Sequence, residues 1–374
     1  MMRTLRVGVV CSLLMTLLTP QLGSTQAKWK GAIVKEDDVT IVKNPKEPIY
    51  KTPILELEEE LSIGGPEASG EAVFTRMGEF VVDDAGNFYI SATRGDDQVR
   101  VFDKSGRYLR TIGRHGQGPG DIDGIGTLSI VGSTGELAVG NVRRRCLTFF
   151  RSDGTYLRDL PYGEPRTYFA VLDSRGNIYG GEVYDVEGST RSEFRMVVRD
   201  PKSEHPFVLD RTPGSDRVQF ELFMPAAHWG LDPSDILLYG YSADYEIRFY
   251  ETGTLRVVKK LRKAYDPVPV SEEEKKRFMP KGFGDMKIVM AKDHAAFRSF
   301  FMSDTGHLVV ETFETAGKGS FIHDVFDKDG RLLARMPLKP RGLKISQGKY
   351  YALEEDEDGY QYVKRYAVTW KIPD

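Results

Sequence analysis

The chain has 374 residues, 40% of them apolar and 29% charged, with a formal net charge of −3. That apolar share is ordinary for a globular protein and supports a large core. The mildly acidic balance argues against nucleic acid or an anionic membrane as the main partner. Closed all-β folds commonly run to this length as one unit, so two domains are not required.

At the start of the chain, Arg3 and Arg6 precede the apolar run 7–18, and Thr25-Gln26-Ala27 offers a small-x-small site. This is the pattern of a secretory signal peptide cleaved after Ala27, which directs the protein to the periplasm or the exterior. The apolar run is too short to span a bilayer. Cleavage would remove two positive charges and no acid, taking the net charge from −3 to −5. Cys11 sits inside the run behind the bulky Val10, which does not suit lipidation. The expected mature chain keeps only Cys146, so no intrachain disulfide is possible.

Residues 28–43 read as a hairpin around Glu36-Asp37-Asp38, ended by Asn44-Pro45. An isolated hairpin is marginal in water, so this one is expected to lie on something larger, outside the main ring. Residues 54–63 (ILELEEELSI) alternate apolar and acidic side chains, as a half-buried strand does, but have no partner next to them in sequence.

From residue 80 onward a four-strand unit recurs. Its first copy is 80–83, 88–91, 99–103 and 108–113, with Asp84-Ala85-Gly86-Asn87 and Lys104-Ser105-Gly106-Arg107 as tight turns. Further copies begin near residues 128, 169, 228 and 297. A sixth covers 342–345, 349–353 and 360–370 and lacks an outer strand. Gly86 and Gly135 are 49 residues apart, Gly135 and Gly176 are 41, and Gly106 and Gly154 are 48. Such periods belong to β-propeller blades. The expected fold is therefore all-β, a six-bladed propeller in which strand 54–63 completes the last blade and leaves no bare sheet edge. The expected organisation is a signal peptide (1–27), a hairpin and leader (28–53) and the propeller (54–374), with an insertion at 262–296 between blades four and five.

Gln98-Val99-Arg100-Val101-Phe102-Asp103 with Gly106, followed by Ile112-Gly113-Arg114-His115-Gly116-Gln117-Gly118-Pro119-Gly120, resembles an NHL repeat. More broadly, residues 28–371 resemble secreted bacterial six-bladed, TolB-like propellers, including the leader elements Trp29-Lys30-Gly31 and Asn44-Pro45-Lys46-Glu47-Pro48. The chain departs from the NHL pattern where Phe and Pro usually follow the glycine run; Ile122 and Ile125 stand there. The resemblance implies a fold that hosts many functions. Some such propellers are calcium-dependent lactonases or lyases with a metal in the pore, but no ligand set of that kind maps onto residues here.

In a four-strand meander, the loops after strands one and three share one end of the blade. Here they are short and uniform. The loops after strand two and the crossovers between blades share the other end, where they are long and differ from blade to blade, so that end is the expected working face. The insertion 262–296 carries a capping box at Ser271–Glu274, a short helix to about Phe278, and an aromatic tip at Phe283. It reads either as a lid over the pore or as a solvated excursion packed on blade four or five.

Arg143-Arg144-Arg145, with Arg94 and Arg114 in neighbouring loops, offer forked donors for an anion, or form a solvated charge run. His115 in the glycine-rich crossover and the His228-Trp229 pair on an innermost strand are further ligand-binding candidates. The run Glu354-Glu355-Asp356-Glu357-Asp358 is dense in oxygen ligands, yet it is only a fragment of a calcium loop. His205, His294, His307 and His323 have no metal-binding spacing, so any zinc site would be assembled across blades. No nucleophile elbow, P-loop, HExxH or Cys-His pair is present. These features favour a monomeric, secreted or periplasmic binding module for a protein, peptide or glycan, with no catalytic residues and no cofactor. The alternative is a metal-dependent hydrolase or lyase with its site in the pore.

Overall fold

The structure is a computed structural model that describes residues 28–372, except 93–95, 133, 163–166, 201–202, 204, 280–286, 318–319 and 339–341. The signal peptide, Arg94 and the Phe283 tip lie outside the described residues.

One turn recurs and spaces the strands. An aspartate accepts the backbone N–H groups two and four residues on, and this bends the chain back on itself. Asp103 receives Ser105 and Arg107, Asp173 receives Arg175 and Asn177, and Asp232 receives Ser234 and Ile236. Gly106 and Gly176 occupy the left-handed position within two of these turns, with φ of +82° and +84°.

Three strands precede the ring: β1 (Ala32–Glu36), β2 (Val39–Asn44) and β3 (Leu55–Gly64). Blade I is β4 (Met77–Val82), β5 (Phe88–Ala92), β6 (Gln98–Phe102) and β7 (Tyr108–Ile112). Blade II is β8 (Ile125–Val131), β9 (Glu136–Asn141), β10 (Cys146–Phe150) and β11 (Tyr156–Pro161). Blade III is β12 (Thr167–Leu172), β13 (Ile178–Tyr184), β14 (Arg191–Arg199) and β15 (Phe207–Asp216). After a short strand β16 (Gln219–Leu222), blade IV is β17 (Ala227–Leu231), β18 (Ile236–Tyr241), β19 (Glu246–Glu251) and β20 (Arg256–Lys263). Helix α1 (Glu272–Phe278) and β21 (Lys287–Met290) follow. Blade V is β22 (Ser299–Met302), β23 (Leu308–Thr315), β24 (Phe321–Phe326) and β25 (Leu332–Leu338). Blade VI is β26 (Gly342–Ser346), β27 (Lys349–Glu355), β28 (Gln361–Trp370) and, as its outer strand, β3.

The fold is a six-bladed β-propeller. Six buried clusters each draw on two adjacent blades. Between V and VI, for example, Val325 and Ala334 meet Ile345 and Tyr350; between VI and I, Tyr351 and Val363 meet Phe80 and Phe88. No helix among the described residues is long and apolar enough to cross a membrane.

The N-terminal segment runs along the outer edges of three blades in turn. β2 pairs in parallel with β20, which widens sheet IV to six strands and buries Ile41 and Val42. The hairpin is thus an edge of sheet IV. The buried Asn44 carboxamide then ties three parts together: it accepts from Trp29 Nε1 (3.0 Å) and Leu332 N (2.8 Å), and donates to Gly330 O (2.8 Å) and Arg262 O (3.3 Å). Ile49 and Tyr50 donate to the carbonyls of Leu332 and Leu333 on blade V. β3 then pairs antiparallel with β28, from Leu55 opposite Trp370 to Gly64 opposite Tyr362.

That last pairing contains a bulge at Glu60, since Glu59 faces Tyr366 and Leu61 faces Arg365. The extra residue reverses the alternation. Leu55 and Leu57 pack toward blade V, whereas Leu61 and Ile63 pack toward blade I. One strand therefore serves two inter-blade cores. Removing one of Glu58–Glu60 should regularise the ladder and keep every apolar partner, lowering the thermal midpoint by only a few degrees. It forfeits little beyond exposed ion pairs of Glu60 with Lys349 and Arg365, worth ~0–1 kcal/mol. Inserting a fourth glutamate should turn Leu55 and Leu57 outward and cost about 3–6 kcal/mol. Thermal melts of the two variants check this.

Candidate functional site

The loop-rich end has two unlike halves. Over blades III–V it is built up. β14 and β15 are nine and ten residues long, and β15 extends through Asp216. β16 pairs in parallel with β21, joining the crossover between blades III and IV to the insertion between IV and V. The insertion is pinned further by Val270 N to Lys292 O, His294 N to Val268 O and Ala296 N to Ser242 O. The capping box forms: Ser271 Oγ accepts from Glu274 N, and the Glu274 carboxylate accepts from Ser271 N. His294 stacks on Phe313 at 4.4 Å and its Nε2 lies 3.2 Å from Glu274.

His228 and Trp229 are consecutive on β17, so their side chains point to opposite neighbours. His228 packs against Phe297 and Phe300 on the blade V side. Burial pushes its pKa down to about 4. Trp229 turns toward blade III, donating from Nε1 to Phe169 O (3.1 Å) and packing on Phe169 and Phe194. Phe169 itself sits at φ +51° on an innermost strand and is 66% exposed. It escaped the sequence reading because nothing local marks a phenylalanine for the left-handed region.

Over blades I and II the face is charged. The glycine-rich crossover folds back through Ile122 N to Arg114 O and Gly116 N to Ile122 O. A Cβ on Gly116 would meet the Asp121 carboxylate at 2.4 Å, so any larger residue would have to displace Asp121. Asn141, fully buried, holds the crossover on blade II by accepting from Asp123 N and donating to Asp121 O, both 2.9 Å. Within the anion-site group, Arg114 meets Asp121 (2.8 Å), Arg143 meets Asp123 (2.7 Å) and Arg144 meets Asp159 (2.8 Å). Arg114 and Arg143 hold the carboxyls of Asp121 and Asp123 below the usual range.

His115 Nδ1 lies 2.9 Å from Asp97 Oδ2. Asp97, His115 and Asp123 can each point one ligand atom into a space where all three lie within 4.8 Å of one another. Among the described residues this is the one such group of three. The sequence reading had His115 but missed both aspartates; the available signal was acids bracketing the glycine run at the loop-rich end.

The acidic run near residue 356 behaves differently. Asp356 repeats the turn device, accepting from Asp358 N and Tyr360 N and from the Tyr362 hydroxyl. At the opposite end of the ring, His205 lines a cleft of about 540 Å³ between blades III and IV, with Arg175, Asn177, Phe207 and Thr252.

The depressed His228 pKa fixes a pH dependence. Between pH about 4 and 6.5 the unfolded chain binds a proton at this position and the folded chain does not. Stability therefore falls as pH drops through that window, by up to ~3 kcal/mol from this group. His228→Phe should flatten the acid limb of a melting-temperature profile taken from pH 7 to pH 4.

The architecture has relatives. A family model of six-bladed β-propellers, DUF5128, matches residues 80–360. A Bacteroides fragilis protein assigned as exported superposes with a TM-score of 0.53 at 14% identity, covering 88% of this chain and 99% of that one. A DUF4221-family protein from Bacteroides vulgatus superposes at 0.52 with 9% identity, covering 84% and 99%. A gluconolactonase from Xanthomonas campestris reaches 0.42 at 13% identity, covering 76% and 83%; that likeness is too remote to bear on chemistry. No curated protein matches the chain in sequence. The family match spans most of the chain, and the protein belongs to the DUF5128 family of six-bladed β-propellers.

Proposed function

We propose that the protein is an exported binding module that holds a protein, peptide or glycan on its loop-rich face. The observation that carries this reading is Phe169. A left-handed φ on a non-glycine residue costs roughly 1–3 kcal/mol, and exposing the ring gains nothing in folding. Strain spent on an exposed aromatic ring points to a contact outside the chain. Its apolar company supports the same reading: Val218 (57% exposed), Phe278 (49%), Met279 (47%) and Val186 (40%) lie at the loop-rich end of blades III and IV and on α1. Exposed apolar groups gathered at one end of a rigid scaffold are the usual form of an interaction surface. The paired arginines on blades I and II then act as a charged border.

Phe169→Gly separates function from stability. Glycine adopts the left-handed conformation freely, which offsets the lost contact with Trp229 and the added chain entropy, so the variant should melt within a few degrees of wild type. Recovery of the partner from envelope extract should fall at least about tenfold if the ring is an anchor. Undiminished recovery would remove Phe169 from the surface. The second reading, a metal-dependent hydrolase or lyase, draws on the Asp97–His115–Asp123 group. EDTA-sensitive turnover of lactone or ester substrates would favour it over the binding module.

A further inference from the structure

We infer that Asp97, His115 and Asp123 form a site for a divalent transition metal of the zinc or manganese class, placed where the crossover between blades I and II meets the β5–β6 loop. The inference stands apart from the binding reading, since it concerns blades I and II and needs no partner.

The donor set is mixed, two carboxylates and an imidazole. Imidazole suits zinc and its transition-metal neighbours and carboxylates suit manganese, whereas calcium and magnesium prefer oxygen alone. The Asp97 and Asp123 side chains are each 9% exposed. Asp97 has His115 as its hydrogen-bond partner among the described residues, and Arg143 answers Asp123. Among the described residues these two carboxylates face one guanidinium and lie close enough, with His115, to share a cation.

Geometry allows it with small adjustments. Ligand atoms around a zinc ion with bonds of about 2.0–2.2 Å lie roughly 3–3.5 Å apart, so the widest pair must close by up to roughly 1.5 Å. His115 can follow, because its side chain is 56% exposed. That exposure also leaves open coordination positions toward solvent. The second shell is built: Asn141 fixes the backbone of Asp121 and Asp123, and Gln117 Nε2 lies 3.4 Å from Asp123 Oδ2. Arg143 contacts Asp123 Oδ1 and so competes electrostatically with the ion while leaving Oδ2 for it.

Calorimetric titration of the purified, EDTA-treated chain with Zn²⁺, Mn²⁺ and Ca²⁺, alongside thermal melts, tests the site. The expected result is one equivalent of Zn²⁺ bound with a raised melting temperature, weaker Mn²⁺ binding and Ca²⁺ weaker still. Asp97→Asn with Asp123→Asn should weaken Zn²⁺ by more than the roughly 100-fold that loss of an outer-shell partner costs. His115→Ala, on an exposed side chain, keeps the test valid if the double variant misfolds and should also weaken binding. Arg143→Ala should tighten binding, because it removes the competing charge; a merely structural ion pair would lose stability and leave Zn²⁺ unchanged. No binding at millimolar metal, or binding that survives both His115→Ala and the double variant, would overturn the assignment.

Discussion

The pairing of β3 with β28 is the constraint on which the rest depends. A ring of sheets is stable only if each blade has neighbours on both sides and none presents a bare edge. Blade VI takes three strands from the end of the chain and its fourth from the start. The joined residues are far apart in sequence, so the contact brings a large loop-closure cost before it returns any packing. The return is substantial, because Leu55 and Leu57 enter one core and Leu61 and Ile63 another. Asn44 extends the same tie one blade further, and its carboxamide is fully used in doing so.

Rigidity of the ring is what gives the loop-rich end meaning as a surface. Beside the path of the strap, between blades IV and V, Lys263 and Asp324 form a buried ion pair at 3.2 Å, and Asp324 also accepts from Tyr245 and Arg335. Such a network is specific in geometry and does not slide. It holds the base of the insertion, whose first residues follow β20 directly. The aromatic half of the face thus rests on a locked interface, while the charged half rests on Asn141 and the folded glycine crossover.

Much of this was legible in the residues. The blades show because their turns need glycine and aspartate at fixed places, and those places repeat. Strand ends were less legible. Residues 210–216 contain Pro213 and Gly214 and read as loop, yet they belong to β15, an outermost strand where proline removes no ladder hydrogen bond that matters. The parallel pair of β16 and β21 joins two four-residue segments far apart in the chain, too short for periodicity to show. The bulge at Glu60 hides behind three consecutive glutamates, which look like one more alternation. At the charged half the arginines were legible as a cluster, but their carboxylate partners were not. Asp121, Asp123 and Asp159 come to them only through the fold of the crossover and of β11. Asp97 reaches His115 from a different loop altogether. Arg94 and Phe283 lie outside the described residues, so their roles stay as proposals from the sequence.

The central claim is that the strap from Asn44 through β3 is an integral part of the ring, no less stable than the blades it joins. Native-state hydrogen exchange resolves this strand by strand. The account predicts that the amides of Leu55–Gly64 bonded to β28 exchange only through the same opening that frees β27 and β28, with one shared free energy. Exchange of β3 through a local opening several kcal/mol cheaper, with blades V, VI and I still protected, would contradict it.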